Sequence, residues 1–321
     1  MSITSLNPIS SRQKTPVSFA RSQLVLFQSR MKWGIVYALA TVTGLFLVPG
    51  TIDSMLAETN AATLVQRIVP LPLISLLITT GMFLLNDLLD VELDRANGKK
   101  RPLPSGQVTK RQAWIFITWT NVLAVVLSVV TANFASMILV VPMLAIGIMY
   151  SAPKIALDDR FLIKTVVIAL YYMLCAALGA TTAYSLGLVV SSPVVFIHAA
   201  FMLGAMRFIS SVLNDTGDVD GDKAAGRRTI PIVIGRENTI KMGIMMVAGM
   251  AGISWTMYAL DGVGIVTASF SSAFAALMIV RLSKTIKGAK DKDFIRKQHK
   301  RLLPFDLMLL SGLPIGVLVM I

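Results

Sequence analysis

Apolar residues in this chain gather into runs long enough for helices to span a bilayer. Nine such runs lie near 33–50, 69–88, 112–131, 133–150, 161–186, 193–213, 238–259, 263–281 and 302–320. About 20 consecutive apolar residues in a helix cross the hydrocarbon core of a membrane. The pattern therefore predicts an all-α, polytopic membrane protein with nine transmembrane helices. The third and fourth runs almost touch, which predicts a helical hairpin. Residues 1–32 read as a basic N-terminal arm, and 33–321 as a single nine-helix domain without a soluble appendage.

Composition agrees with this pattern. The chain has 321 residues, 55% of them hydrophobic and 15% charged, a balance poor for a soluble domain and natural for a bundle of spans. A net charge of +13 would suit a nucleic-acid binder, but its placement points elsewhere. Of 30 Lys and Arg, 28 fall in the N-terminal arm and in alternate inter-helix segments, leaving Arg67 and Arg207. That is the positive-inside distribution. It predicts a cytoplasmic N-terminus, a C-terminus outside, and membrane lipids rather than nucleic acid as the surroundings. Residues 1–32 contain no acidic residue; a cytoplasmic arm is the reading adopted, with an organellar transit peptide as the alternative. The leader is too long and polar for a secretory signal. Cys175, alone inside an apolar run, reads as a small buried hydrophobe.

The informative polar positions form two copies of one motif. Asn86-Asp87-Leu-Leu-Asp90-Val-Glu-Leu-Asp94 recurs as Asn214-Asp215-Thr-Gly-Asp218-Val-Asp-Gly-Asp222. Both close an even-numbered run, the second and the sixth, so both end on the cytoplasmic side and mark a parallel internal repeat. The likeness continues through Gly98-Lys99-Lys100 and Gly226-Arg227-Arg228, where glycine suits a left-handed cap or tight turn. Arg101-Pro102-Leu103-Pro104-Ser105-Gly106 then cannot continue a helix. At about 100° per residue, positions i, i+3 and i+7 share one helical face. Each copy thus aims three carboxylates at one point, a repulsive arrangement that divalent metal ions would relieve. Magnesium prefers hard oxygen ligands and keeps coordination sites for phosphate oxygens, and neighbouring Lys and Arg would cover the rest.

A charged, metal-assisted head site at a membrane boundary, above an apolar bundle, predicts a site for a prenyl diphosphate. Metal and cationic side chains stabilise the diphosphate as the allylic C–O bond breaks. The allylic cation then needs a dry pocket. Trp33, Tyr150, Tyr171, Tyr172 and several Met side chains are candidates to flank it, although each taken singly fits ordinary core packing better.

On these residues the chain resembles the UbiA superfamily of intramembrane prenyltransferases over nearly its whole length. The marks are Asn86-Asp87-x-x-Asp90-x-x-x-Asp94, Arg101-Pro102-Leu103-Pro104-Ser105-Gly106 and Asp215-x-x-Asp218-x-x-x-Asp222. The stretch from Asp218 through Gly226, Arg228, Thr229, Pro231 and Gly235 is similar to the branch holding digeranylgeranylglyceryl phosphate synthases, homogentisate prenyltransferases and chlorophyll synthases. The resemblance implies a nine-helix bundle around a central cavity, with Mg²⁺ bridging both motifs to diphosphate. Asp87, Asp90, Asp94, Asp215, Asp218 and Asp222 would bind metal. Asn86 and Asn214 would orient metal or phosphate, Arg101 and Lys154 would contact diphosphate, and Tyr150 would lie near the reacting centre. The implied catalytic set is Asn86, Asp87, Asp215 and Tyr150.

The expected activity is Mg²⁺-dependent transfer of a polyprenyl group to a lipophilic acceptor, an isoprenoid-lipid or quinone-type precursor. The alternative is a terpene cyclase on the same scaffold, which would make product from prenyl diphosphate without an acceptor. A divalent-cation transporter fits less well, because its path would need polar residues across the midplane, and the outer halves of the runs are almost uncharged. Arg207, seven residues before Asn214, falls on a similar face and either touches substrate or bonds a neighbouring helix. Glu92 and Asp220 lie off the metal face and read as solvated. His198 reads as interfacial, and Asp306 as either a cavity-mouth residue or a satisfied carboxylate.

Overall fold

A computed structural model describes residues 16–96, 99–153, 155–185, 193–224 and 226–319. Its elements are α1 (Phe19–Phe46), α2 (Thr51–Ala57), α3 (Ala61–Ile68), α4 (Pro70–Leu89), α5 (Val91–Ala96), α6 (Lys110–Val130) and α7 (Phe134–Ser151). The second part comprises α8 (Phe161–Ser185), α9 (Val194–Ala224), α10 (Ile230–Ile234), α11 (Arg236–Ala259), α12 (Ile265–Ile286), α13 (Lys292–Lys300) and α14 (Leu303–Leu318). No strand occurs among the described residues. Among the described residues eight helical runs are long and apolar enough to cross a membrane, and the count is nine if α1 and α2, bent by 81° at their junction, form one span. Each apolar run of the sequence thus has its helix, and the chain is an integral membrane protein.

The helices close into a ring with a visible repeat. In the first half α1, α4, α6 and α7 are neighbours in order; in the second, α8, α9, α11 and α12 follow the same order. α8 packs on α1 and α7, and α14 joins α12 back to α1. The motif helices α4 and α9 hold equivalent places in the two halves. Buried tyrosines occupy the centre, with the Tyr37 ring 4.8 Å from Tyr172 and 5.5 Å from Tyr171. The outer surface of α6 and α7 shows lipid-compatible side chains such as Val122, Val126, Val129, Ile138 and Val141.

Local chemistry sets the element ends. Thr109 caps α6 in a reciprocal capping box with Gln112, which satisfies two otherwise unpaired backbone donors. Pro102 and Pro104 stand between α5 and α6, where no helix continues. Gly226 takes φ +71° after α9, the left-handed turn expected there; Gly98 lies outside the described residues. α1 begins at Phe19, well before the first apolar run and inside the segment read as an arm. The reason is packing: Leu26 is fully buried in a cluster with Leu84, Leu88, Phe116 and Ile117, and Trp119 Nε1 donates to Gln23 Oε1 at 2.9 Å. α1 and α8 meet backbone to backbone. A Cβ on Gly44 would fall on the carbonyl of Ala176, and one on Gly179 on the carbonyl of Thr41. Small residues permit such close approach between membrane helices.

Candidate active site

The two motif helices end on opposite walls of one cavity of about 260 Å³. From α4 and its end come Asn86 and Asp90; from α9 come Asn214, Asp215, Asp218 and Asp222. Asp90 is the C-cap of α4, at the break before α5. That break matters, because it divides the first trio. Asp87 and Asp94 are buried at 1% and 0% exposure and turn to a shared cation. Arg101 Nη1 donates to Asp87 Oδ1 at 2.6 Å and to Asp94 Oδ2 at 2.5 Å. Spacing of seven residues keeps these two on one side of the helix, while Asp90 faces the cavity.

The carboxylates of the two motifs lie among cations, Asp222 within the fields of Lys164 and Arg227. Arg30 grips Asp87 through Nε at 2.7 Å and through Nη2, and Lys99 lies 2.8 Å from Asp94. Arg227, just after the second motif, crosses to Asp90 of the first at 3.1 Å. Lys164 at the start of α8 donates to Asp215 at 2.7 Å, and Arg296 of α13 to Asp218 at 2.7 Å. Thus no three acidic, His or Cys side chains among the described residues converge as a ready metal cage. The expectation that each trio meets at a point is corrected for the first trio, where Asp87 and Asp94 are held by Arg101 and only Asp90 lines the cavity. Arginine and lysine offset the mutual repulsion of these carboxylates.

The donor set nonetheless suits a hard divalent cation. Asp215, Asp218 and Asp222 are oxygen donors along one face of α9, and Asp222 Oδ2 is buried with no hydrogen-bond partner. Asn86 completes the opposite wall. Its Nδ2 donates to Asp90 at 3.3 Å and to Asp158 at 3.0 Å, which leaves its carbonyl oxygen for another partner. Tyr150, at the end of α7, lines the same cavity, and so does Arg101. Arg207 lines it farther along α9. Lys154 lies outside the described residues.

Several residues here carried no site signal in the sequence. Arg30, Lys164 and Arg296 enter the sequence pattern only through the inside-positive bias, Lys99 and Arg227 also through the repeated basic pair, and Asp158 belongs to no motif. A lysine in the first turn of an apolar span, as Lys164 is, was the available clue, since a charge there seeks a partner. His198 is buried with Ser254 Oγ at 2.8 Å, away from the motifs. Glu92 and Asp220 are 72% and 71% exposed and pair with Arg95 and Arg236.

Comparison with known proteins gives a consistent picture. The model of the UbiA prenyltransferase family matches residues 38–302. A digeranylgeranylglyceryl phosphate synthase of Methanoculleus marisnigri is 28% identical over 211 residues, which cover 61% of this chain and 70% of that protein. The Halobacterium salinarum synthase is 31% identical over 191 residues, covering 57% of this chain and 62% of its own length. The chain thus spans roughly two thirds of the relatives it matches. A UbiA homologue from Archaeoglobus fulgidus, solved with GPP and Mg²⁺, shares the fold at TM-score 0.63 and 18% identity, over 93% of this chain and 99% of that one.

Proposed function

The chain belongs to the UbiA prenyltransferase family, and from that premise we propose that it transfers a prenyl group from a prenyl diphosphate to a lipophilic acceptor within the membrane. The observation that carries this reading is the single cavity into which Asn86, Asp90, Asn214, Asp215, Asp218 and Asp222 project from the two motif helices. Mg²⁺ would be held by Asp215, Asp218 and Asp222 with Asp90 and the Asn86 carbonyl opposite, and when bound supplies neutralisation of the diphosphate.

The chain's own residues do the rest. Lys164 and Arg227 line the cavity paired with Asp215 and Asp90 and turn to phosphate oxygens as those two acids take other partners, while Lys99 and Arg101 stay with Asp87 and Asp94 and present their remaining N–H groups to the same cavity. Arg30 and Arg101 hold Asp87 in place, so that Asp87 sets the position of the Arg101 fork. The bond between the allylic carbon and the diphosphate oxygen breaks, the acceptor's nucleophilic atom bonds that carbon, and the acceptor loses a proton. Tyr150 forms a buried wall at this end and helps keep water out. The inside-positive charge distribution supports a cytoplasmic side for both motifs. Of the two acceptor classes, an isoprenoid-lipid precursor is the one supported by the relatives, which are digeranylgeranylglyceryl phosphate synthases.

The test is product mass spectrometry on purified protein given several prenyl diphosphates and a membrane-lipid extract with Mg²⁺. A prenylated lipid that requires both substrates is expected. A hydrocarbon or terpene alcohol made without extract would overturn the reading in favour of a cyclase.

A further inference from the structure

The connector from α12 to α14 brings together two cations that the central cavity does not use. Arg281 lies about 7 Å of helical rise before the end of α12. Arg301 is the C-cap of α13, immediately before α14. Nε and Nη2 of Arg281 are buried without a hydrogen-bond partner. The side chain also stands within the field of Arg301, which is exposed. Neither arginine pairs with an acid among the described residues. Packing holds the connector in place: Ile295 and Leu302 are buried, and the Phe294 ring rests against Gly288.

A basic residue near the end of a span ordinarily reaches into water, and one at a helix C-terminus complements the dipole. Arg301 fits the second description. Arg281 fits neither, because two of its donors are shielded and its neighbour carries the same charge. A buried charged donor left unbonded is costly, and an anion that accepts from both arginines removes this cost together with their repulsion. Phosphate oxygens match the planar edge that Nε and Nη2 present. The setting is a membrane surface. Leu277, one turn before Arg281 on α12, and Leu307 of the adjoining α14 are exposed, so hydrocarbon chains below a phosphate here would lie on apolar side chains. Arg296 of α13 reaches Asp218, which puts the pair on the motif side of the bundle, where the basic loops gather and anionic headgroups are attracted.

We propose that Arg281 and Arg301 form a binding site for a phosphate anion, and that the phosphate belongs to the headgroup of an anionic membrane lipid. Bound there, the lipid ties α12 to α13. The site is independent of the prenyl-transfer reading.

The test is native mass spectrometry of the whole chain in detergent, offered equal amounts of phosphatidylglycerol and phosphatidylcholine with the same acyl chains. The anionic lipid should be retained about fivefold or more over the zwitterionic one, the scale of attraction of one basic residue to an anionic surface. Arg281→Gln and Arg301→Gln should each erase that preference, whereas Lys110→Gln, at an exposed cation on α6, should leave it. Melting curves separate binding from folding. Phosphatidylglycerol should raise the Tm of the unmodified protein and not that of Arg281→Gln. In phosphatidylcholine alone the variant should melt no lower than the unmodified protein, because it loses an unsatisfied charge. Equal retention of the two lipids overturns the proposal, as does a preference that survives both substitutions. A lower Tm of Arg281→Gln in phosphatidylcholine also overturns it, by showing the guanidinium bonded within the protein. Inorganic phosphate and glycerol 3-phosphate at millimolar concentration should leave the lipid bound; displacement by either would overturn the lipid as the source of the phosphate.

Discussion

Lys164→Met removes the ammonium that faces Asp215 and keeps the length and apolar stem of the side chain. The pair is 2.7 Å apart, with the side chains 14% and 5% exposed. Removing one partner of a buried ion pair costs about 3–5 kcal/mol, because the other charge is left uncompensated. A chain of this size loses roughly 2 °C in Tm per kcal/mol, so the metal-free variant should melt roughly 6–10 °C below the unmodified protein. The partial exposure of Lys164 places the result towards the lower end. Mg²⁺ at a hundredfold excess over its Kd stabilises a folded protein by about 2.7 kcal/mol. In the unmodified chain the ion must first displace Lys164, whereas in the variant it meets a bare carboxylate. The Mg²⁺-induced rise in Tm should therefore be larger in the variant, while turnover falls because the phosphate loses its ammonium. Scanning fluorimetry in detergent with and without Mg²⁺ decides the matter. Equal Mg²⁺ shifts in the two proteins would refute the assignment of Asp215 as a metal ligand.

Three further outcomes follow from the same geometry. Asp215→Ala should lower product formation by 10³-fold or more, and chelation of the metal should do the same to the unmodified protein, whereas Glu92→Gln, at an exposed position paired with Arg95, should stay within twofold; steady-state assays with saturating donor compare them. Gly179→Leu drives a side chain into the α1 backbone at Thr41 and should eliminate the monodisperse peak in fluorescence size-exclusion chromatography, while the same change at Gly249, where nothing lies near, should preserve it. His198→Phe should cost on the order of 1–2 kcal/mol through loss of the hydrogen bond to Ser254 and leave turnover intact; a collapse of activity at unchanged Tm would contradict its placement away from the site.

The spans were legible because hydrocarbon solvent imposes one simple requirement, a helix of sufficient apolar length, and each run answers it alone. The repeat was legible for a similar reason, since the motif spacing is local to one helix. What could not be read is whatever depends on how helices dock. Arg30 meets Asp87, and Lys164 meets Asp215, across separations that no periodicity encodes. The break at Asp90 also escaped the pattern. A regular helix through Asp94 would have kept three acids together, whereas the observed cap sends Asp90 one way and Asp87 and Asp94 another. The helical extension of α1 back to Phe19 was hidden because that segment's polar positions resemble a loose tail, and only its neighbours make Leu26 a core residue.

The glycine contact between α1 and α8 carries a consequence for traffic through the protein. A seam closed atom against atom has no slack to part, so a long greasy molecule cannot slip sideways between those two rods. Entry from the lipid and departure of the finished product must use a looser gate elsewhere around the barrel of helices. Tethering experiments that staple the remaining seams one at a time should find the doorway by the staple that stalls the catalytic cycle.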